Sequence, residues 1–126
     1  MKLELKEKMY VRTKDGIIAK VDYIDDNTIF FDKDLYRTYS DSIDFLEKDN
    51  LERIAKASYN IIDLIKSKDI ILGRDGKMYQ CWKIYKDYVF TYSKNKQGQT
   101  ITLVDYQIDK VLTKEQFEQM SYKVGE

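Results

Sequence analysis

A dense run of aromatic residues between Tyr79 and Tyr92 is the part of this sequence best suited to chemistry. The chain contains 11 tyrosines, 5 phenylalanines and 1 tryptophan, which make up 13% of its residues. Flat amphipathic rings on a strand can stack on nucleobases, and each stacked base contributes about 1–3 kcal/mol. The candidate ligand-binding residues in this run are Tyr79, Trp82, Lys83, Tyr88, Phe90 and Tyr92.

The same run predicts a β-hairpin that turns at Lys86-Asp87. Three cross-strand pairs follow from that register: Tyr85 with Tyr88, Lys83 with Phe90, and Cys81 with Tyr92. These residues and Tyr79 would share one face, and the core face would carry Met78, Trp82, Ile84 and Val89. Two alternatives to ligand stacking stay open, because tyrosine also covers the open side of sheets and is enriched at subunit interfaces.

Arginine is scarce, and each one is therefore a candidate for binding an anion. The planar guanidinium grips carboxylates and phosphates through two parallel hydrogen bonds. Arg12 ends a predicted strand and Arg53 opens another, so either could point into a cleft between two sheets and hold a phosphate. The alternative for both is a solvated surface position, and Arg74 lies within a turn, where we expect it to be exposed.

The sequence offers little for catalysis. It contains no histidine, and Cys81 is its one cysteine, so a histidine-dependent triad, a histidine-ligated zinc site and an internal disulfide are excluded. The carboxylate pairs Asp25-Asp26 and Asp32-x-Asp34 could hold Mg²⁺ or Ca²⁺, but aspartate is common in turns for other reasons. The possibility that a lysine or a tyrosine acts as a general acid or base stays open. We expect a binding protein rather than an enzyme, with no cofactor and no metal.

Composition limits the class of protein further. The 126 residues are enough for one domain, and 43% of them are hydrophobic, which is enough for a folded core. Lys and Arg number 22 and Asp and Glu number 22, and this balance argues against a DNA-binding protein. No apolar run is long enough to cross a membrane and the first residues do not form a signal peptide, so we expect a cytoplasmic protein.

The pattern of turns predicts a mainly β protein, with two small antiparallel sheets that share a core and two or three short helices. Asp15-Gly16 and Asp25-Asp26-Asn27 divide residues 3–32 into a three-stranded meander, with strands at 3–12, 17–24 and 28–32. Residues 33–50 are predicted to form a long loop, and residues 51–126 a β-rich part of the same single domain. No internal repeat of fixed period is visible.

Within the β-rich part, a strand is predicted at 51–58, followed by a short helix at 61–67 that begins at Asn60. Its alternative is a buried strand. Five further strands are predicted at 70–72, 78–85, 88–92, 100–104 and 107–112. Thr113 and Gln116 have the spacing of a capping box, which predicts a helix at 114–120 before a closing strand at 121–124.

Three stretches carry a resemblance to known proteins: residues 10–21 (YVRTKDGIIAKV), residues 56–65 (KASYNIIDLI) and residues 112–124 (LTKEQFEQMSYKV). With them the chain resembles, nearly end to end, small accessory proteins of phages and prophages in low-GC Gram-positive bacteria. Within that group it is similar to the anti-Thoeris sponges, which sequester the cyclic ADP-ribose signal of a host defence system without hydrolysing it.

The resemblance implies a homo-oligomer in the cytoplasm of the infected host, with the ligand held between protomers by aromatic stacking and arginine. The stretches that carry the resemblance have the character of structural segments, so the resemblance does not say which residues of this chain bind the ligand. Two other functions stay open for such a protein. It could inhibit a host defence complex by protein–protein contact, as anti-CRISPR proteins do, through the acidic 33–50 segment. It could also serve in the virion or its assembly.

Overall fold

The computed structural model describes residues 4–32 and 43–124, and the side chains up to residue 119. Leu3, Arg37 and residues 33–42 of the predicted loop lie outside the described residues. The first sheet, called the N-terminal sheet below, contains β1 (Tyr10–Thr13), β2 (Ile18–Ile24), β3 (Thr28–Phe31), β4 (Phe45–Glu47) and β5 (Ile54–Ser58). Its strands are all antiparallel and lie in the order β4-β3-β2-β1-β5.

The second sheet, called the C-terminal sheet, contains β6 (Ile70–Gly73), β7 (Met78–Tyr85), β8 (Tyr88–Lys94), β9 (Thr100–Leu103) and β10 (Ile108–Leu112). It is also antiparallel, in the order β10-β6-β7-β8-β9. Short 3-10 helices span Lys48–Arg53, Ile61–Leu64 and Asp105–Gln107, and an α-helix, α1, spans Lys114–Val124. The prediction of a mainly β fold with two antiparallel sheets is confirmed.

Several predicted boundaries are wrong. The first strand starts at Tyr10 rather than at residue 3, and residues 51–53 belong to a 3-10 helix rather than to a strand. Part of the predicted loop 33–50 forms β4, which pairs with β3. The closing strand at 121–124 does not form, because α1 continues to Val124.

The two sheets are copies of one topology, related by a shift of 60 residues along most of their length. Val11 pairs with Ala19 between β1 and β2, and Ile71 pairs with Tyr79 between β6 and β7. A bulge interrupts β2 between Val21 and Tyr23, and another interrupts β7 between Cys81 and Lys83. The fifth strand of each sheet follows a 3-10 helix and pairs beside the first. The structure therefore contains an internal repeat, which corrects the sequence-based expectation of none.

Backbone conformation repeats at the same interval. Lys8 and Lys68 both have a positive φ, of 72° and 78°, and Gly16 and Gly76 have φ of 93° and 82°. Only Asp15, Gly16, Ile24 and Phe30 among positions 11–31 are identical to the residue 60 positions later. The repeat therefore lies in turn geometry and in the alternation of buried positions, and hardly in residue identity.

A common core joins the two sheets. Tyr10 and Ile18 of the N-terminal sheet pack with the buried residues of β6–β10 and with the 3-10 helix at Ile61–Leu64. Asn60 caps that helix by accepting from the Ile62 amide at 3.1 Å, and Ile61, Ile62 and Ile65 are buried as expected, although the helix is shorter than predicted. A second cluster lies within the N-terminal sheet.

Helix α1 returns the end of the chain to the N-terminal sheet. Thr113 Oγ1 accepts from the Gln116 amide at 3.3 Å, as the capping box predicted, and donates to the Gly16 carbonyl at 2.8 Å. The Gln116 side chain donates to the Asp15 carbonyl at 3.1 Å. The first turn of α1 is therefore fastened to the first Asp-Gly turn.

Candidate functional site

Arg12 lies in the interior, where three parts of the chain meet. The residue is only 1% exposed. Its Nη1 donates to the Leu64 carbonyl at 2.8 Å and to Asp69 at 2.5 Å, and its Nη2 donates to Asp69 at 3.1 Å and to Glu115 at 2.6 Å. The expectation that Arg12 offers its guanidinium to a phosphate is corrected, because the fork already grips carboxylates of the protein.

Arg12 and Glu115 hold each other in their charged forms. Burial lowers the pKa of Arg12, but hydrogen bonds to Asp69 and Glu115 and their negative charges outweigh it, so the pKa lies above its usual value. Burial raises the pKa of Glu115, but its backbone hydrogen bond and the Arg12 guanidinium outweigh it and hold the pKa below its usual range. The cluster is a structural connection between the sheets and α1.

The predicted hairpin forms, with its turn at Lys86-Asp87, but a bulge exchanges some of its faces. Tyr85 pairs with Tyr88 and Lys83 with Phe90, as predicted. Beyond the bulge Cys81 pairs with Thr91 instead of Tyr92. As a result Tyr79 and Cys81 point into the core, and Trp82 is 45% exposed rather than buried.

We call the solvent side of this hairpin the outer face, and define it by Trp82, Lys83, Tyr88, Phe90 and Tyr92. Lys83 Nζ lies 4.7 Å from the Trp82 ring centroid and 5.3 Å from that of Phe90, both within cation–π range. The Trp82 and Tyr92 centroids are 6.4 Å apart. Five of the eight predicted site residues therefore share one exposed surface.

Tyr79 belongs to a different place, a groove of about 380 Å³ beside the second Asp-Gly turn. We call it the C-terminal groove; its lining includes Arg74, Asp75, Tyr79, Ile101, Leu103 and Tyr106. The Arg74 amide donates to the Gln107 carbonyl at 2.9 Å, which ties the turn to the 3-10 helix at Asp105–Gln107. The groove therefore forms where a turn and a helix some 30 residues apart are hydrogen-bonded.

The side chains of the C-terminal groove suit an anionic ligand with a flat ring. Arg74 Nε donates to the Tyr106 carbonyl at 2.8 Å, and its two Nη groups have no hydrogen-bond partner among residues 4–32 and 43–124. The Tyr106 ring beside it is 76% exposed. Ile101 and Leu103 supply apolar lining. A guanidinium and an exposed aromatic ring that line the same groove can bind a phosphate and a base together.

The acid in this groove is already engaged. Asp75 accepts from the Tyr79 hydroxyl at 2.6 Å and from the Lys77 amide at 3.0 Å. These hydrogen bonds hold the pKa of Asp75 below its usual value, and the Tyr79 hydrogen bond to Asp75 raises the pKa of Tyr79. Tyr79 therefore remains a neutral donor that orients Asp75.

Arg53 lines the equivalent groove of the N-terminal sheet, called the N-terminal groove, with a volume of about 330 Å³. Its lining comprises Lys14, Asp15, Glu52 and Arg53. The Lys14 amide donates to the Arg53 carbonyl at 2.8 Å, the counterpart of the contact between Arg74 and Gln107. Glu52 stands where the C-terminal groove has Tyr106, and no aromatic ring from residues 4–32 or 43–124 lines this groove.

Sequence reasoning expected Arg74 to be exposed, as it is, but did not place it in the site, and it missed Tyr106. The Asp-Gly motif located the turn that carries Arg74, but no local sequence pattern indicates that Tyr106 lies close to that turn.

Cys81 is buried, and burial raises the pKa of its thiol to about 11, so it is not an activated nucleophile. In the part of the chain that the structure describes, no group of three or more Cys, Asp or Glu side chains could hold a metal ion.

Comparison with known proteins gave no match to a family model, to a curated protein or to a solved structure. Among residues 4–32 and 43–124, no helix is long and apolar enough to span a membrane.

Proposed function

We propose that this protein binds and sequesters a nucleotide of the cyclic ADP-ribose class without cleaving it. In this role it is a phage-encoded anti-defence protein that acts in the cytoplasm of the infected host and blocks immune signalling. The observation that carries the proposal is the C-terminal groove, which is lined by the exposed Tyr106 and by Arg74, whose two Nη groups have no partner in the described part of the chain.

The proposed binding mode divides the ligand between these two side chains. The Nη groups of Arg74 grip the diphosphate, and the Tyr106 ring stacks on the adenine. A volume of about 380 Å³ lies within the range of small-molecule sites, and the high exposure of Tyr106 leaves one side of the ligand uncovered. A second protomer covering that side accounts for the oligomer that the sequence resemblance implies.

Thermal denaturation in the presence of cyclic ADP-ribose isomers, ADP-ribose and cyclic dinucleotides tests the proposal. A ligand at one hundred times its Kd stabilises the fold by about 2.7 kcal/mol, which raises the Tm by several degrees in a domain of this size. The ligand should be recovered intact after the protein is denatured. A flat response across the panel, or recovery of a cleaved product, would overturn it.

The repeat provides a matched control for the site. Arg74→Gln should weaken binding by about 10- to 100-fold, because it removes a charge-assisted contact of about 1.5–3 kcal/mol. Lys14→Gln removes the positive charge at the equivalent position of the N-terminal groove and should leave the Kd unchanged. Equal losses in the two variants would contradict binding at the C-terminal groove.

A further inference from the structure

The outer face combines aromatic rings and cations in a way that the proposed nucleotide site does not use. The bulge between Cys81 and Lys83 places Trp82 and Lys83 side by side on the solvent side of β7. Lys83 Nζ lies near the Trp82 and Phe90 rings, and Tyr92, 56% exposed, lies beside Trp82. Exposed rings beside an ammonium group can stack on the bases of a single-stranded nucleic acid and contact a phosphate between them.

Charge is divided unevenly between the two sheets although the whole chain is neutral. Residues 77–92 contain three lysines and one aspartate, whereas the equivalent residues 17–32 contain one lysine and four aspartates. The single acid of the C-terminal stretch, Asp87, accepts from the Asn60 side chain at 3.1 Å. The net charge of zero, which argued against DNA binding, is therefore the sum of a basic C-terminal sheet and an acidic N-terminal sheet.

The equivalent hairpin of the N-terminal sheet also carries aromatic rings, but they are arranged differently. There Tyr23 and Phe30 stack on each other, with centroids 4.5 Å apart and planes at 16°, and Phe30 lies 6.5 Å from Phe45. Asp22 occupies the position that Trp82 has in the other sheet. These rings pack on one another, whereas in the outer face Lys83 lies near the Trp82 and Phe90 rings.

We infer that the outer face binds single-stranded nucleic acid. Bases stack on Trp82 and Tyr92, and Lys83 contacts the phosphates between them. A second copy of the chain suits this surface less well, because a two-fold dimer with its axis at the centre of the face would place Lys83 against the same residue of its partner. The site is separate from the C-terminal groove, so the inference does not depend on the proposed function.

The test is a titration of the full-length protein with a fluorescein-labelled 12-residue oligo-dT, followed by anisotropy and by the emission of the single tryptophan. Binding should quench Trp82 and weaken as salt rises. The same sequence in a duplex should bind at least tenfold more weakly, since its bases are already stacked. An oligo-rU strand should bind comparably to oligo-dT, because stacking does not read the sugar.

Matched variants locate the site. Trp82→Ala and Tyr92→Ala should each raise the Kd about tenfold, the size of one lost base stack. Lys83→Gln should reduce the slope of log K against log salt by about 0.7. Tyr23→Ala and Phe45→Ala, on the N-terminal sheet, should leave the Kd unchanged.

Three results would overturn the inference: no binding of either strand at low salt, unchanged affinity in Trp82→Ala, or equal losses in Tyr23→Ala. Trp82 emission that varies with protein concentration in the absence of oligonucleotide would instead assign the face to self-association. Circular dichroism of each variant confirms that the fold is intact, which we expect because the substituted side chains are exposed.

Discussion

A single buried arginine connects three parts of the chain that are far apart in sequence. Arg12 belongs to β1, Asp69 lies just before β6, and Glu115 lies in the first turn of α1. Removing a guanidinium from water is costly, and here four hydrogen bonds to Leu64, Asp69 and Glu115 offset that cost. The Nε of Arg12 is buried and has no partner among the described residues, so the offset is incomplete.

Replacing this arginine with an apolar residue of similar length should therefore be strongly destabilising. Arg12→Met should lower the free energy of unfolding by about 3–5 kcal/mol, because it leaves the Asp69 carboxylate buried without its cation. Urea denaturation measures the change. Arg53→Met, at an exposed position, should alter stability by no more than about 0.5 kcal/mol. Similar losses in the two variants would show that Arg12 is not the connecting residue.

The two Asp-Gly turns have the same local backbone geometry but different surroundings in the fold. Gly16 and Gly76 occupy equivalent turns with similar positive φ. A Cβ on Gly16 would collide with Thr113 Oγ1 at the start of α1, whereas a Cβ on Gly76 meets no atom within 4 Å. The same backbone geometry is therefore exposed to solvent in one sheet and covered by a helix in the other.

Replacing each of the two glycines with alanine should separate the cost of backbone strain from the cost of the collision with Thr113. Gly76→Ala should cost about 1–2 kcal/mol, since it meets only the backbone strain of positive φ. Gly16→Ala should cost about 1–3 kcal/mol more, because Thr113 and α1 must also shift. Urea midpoints of both variants measure the difference. Equal midpoints would mean that α1 does not press on the first turn.

Elements with a local cause were predictable from the sequence. The Asp-Gly turns, the Lys86-Asp87 hairpin and the Asn60 cap depend on a few neighbouring residues, and all were expected where they occur. β4 was missed because it has three residues, of which only Leu46 is buried, so no alternation can be recognised. The bulge in β7 was missed because register depends on the partner strand.

The site was less predictable than the fold for the same reason. Tyr106 and Arg74 form a groove only because a backbone hydrogen bond joins two segments distant in sequence. The partners of Arg12 lie 57 and 103 residues away, so no spacing distinguishes it from a surface arginine. Only the outer face follows from a continuous run of residues, and even there the bulge decided which rings reach solvent.

At the scale of the whole molecule, two copies of one sheet topology are held together as one structure. Tyr10 and Ile18 of the N-terminal sheet belong to the core of the C-terminal sheet, and α1, which follows the last strand, packs back on the first turn. The ion pairs of Arg12 join the same three parts. Neither sheet keeps these contacts when the other unfolds, so the two should unfold together.

Trp82 reports on this coupling, because the one tryptophan of the chain lies in the C-terminal sheet. We expect its fluorescence and the far-UV circular dichroism of the whole chain to give coincident urea transitions. The Gly16→Ala substitution lies in the N-terminal sheet, yet it should lower the midpoint reported by Trp82 as much as that of the circular dichroism. If the sheets were independent, the Trp82 transition would stay at its wild-type midpoint and the circular dichroism would resolve into two steps. Coincident shifts would instead establish that a strain introduced at the first turn is shared by both copies through α1 and the common core.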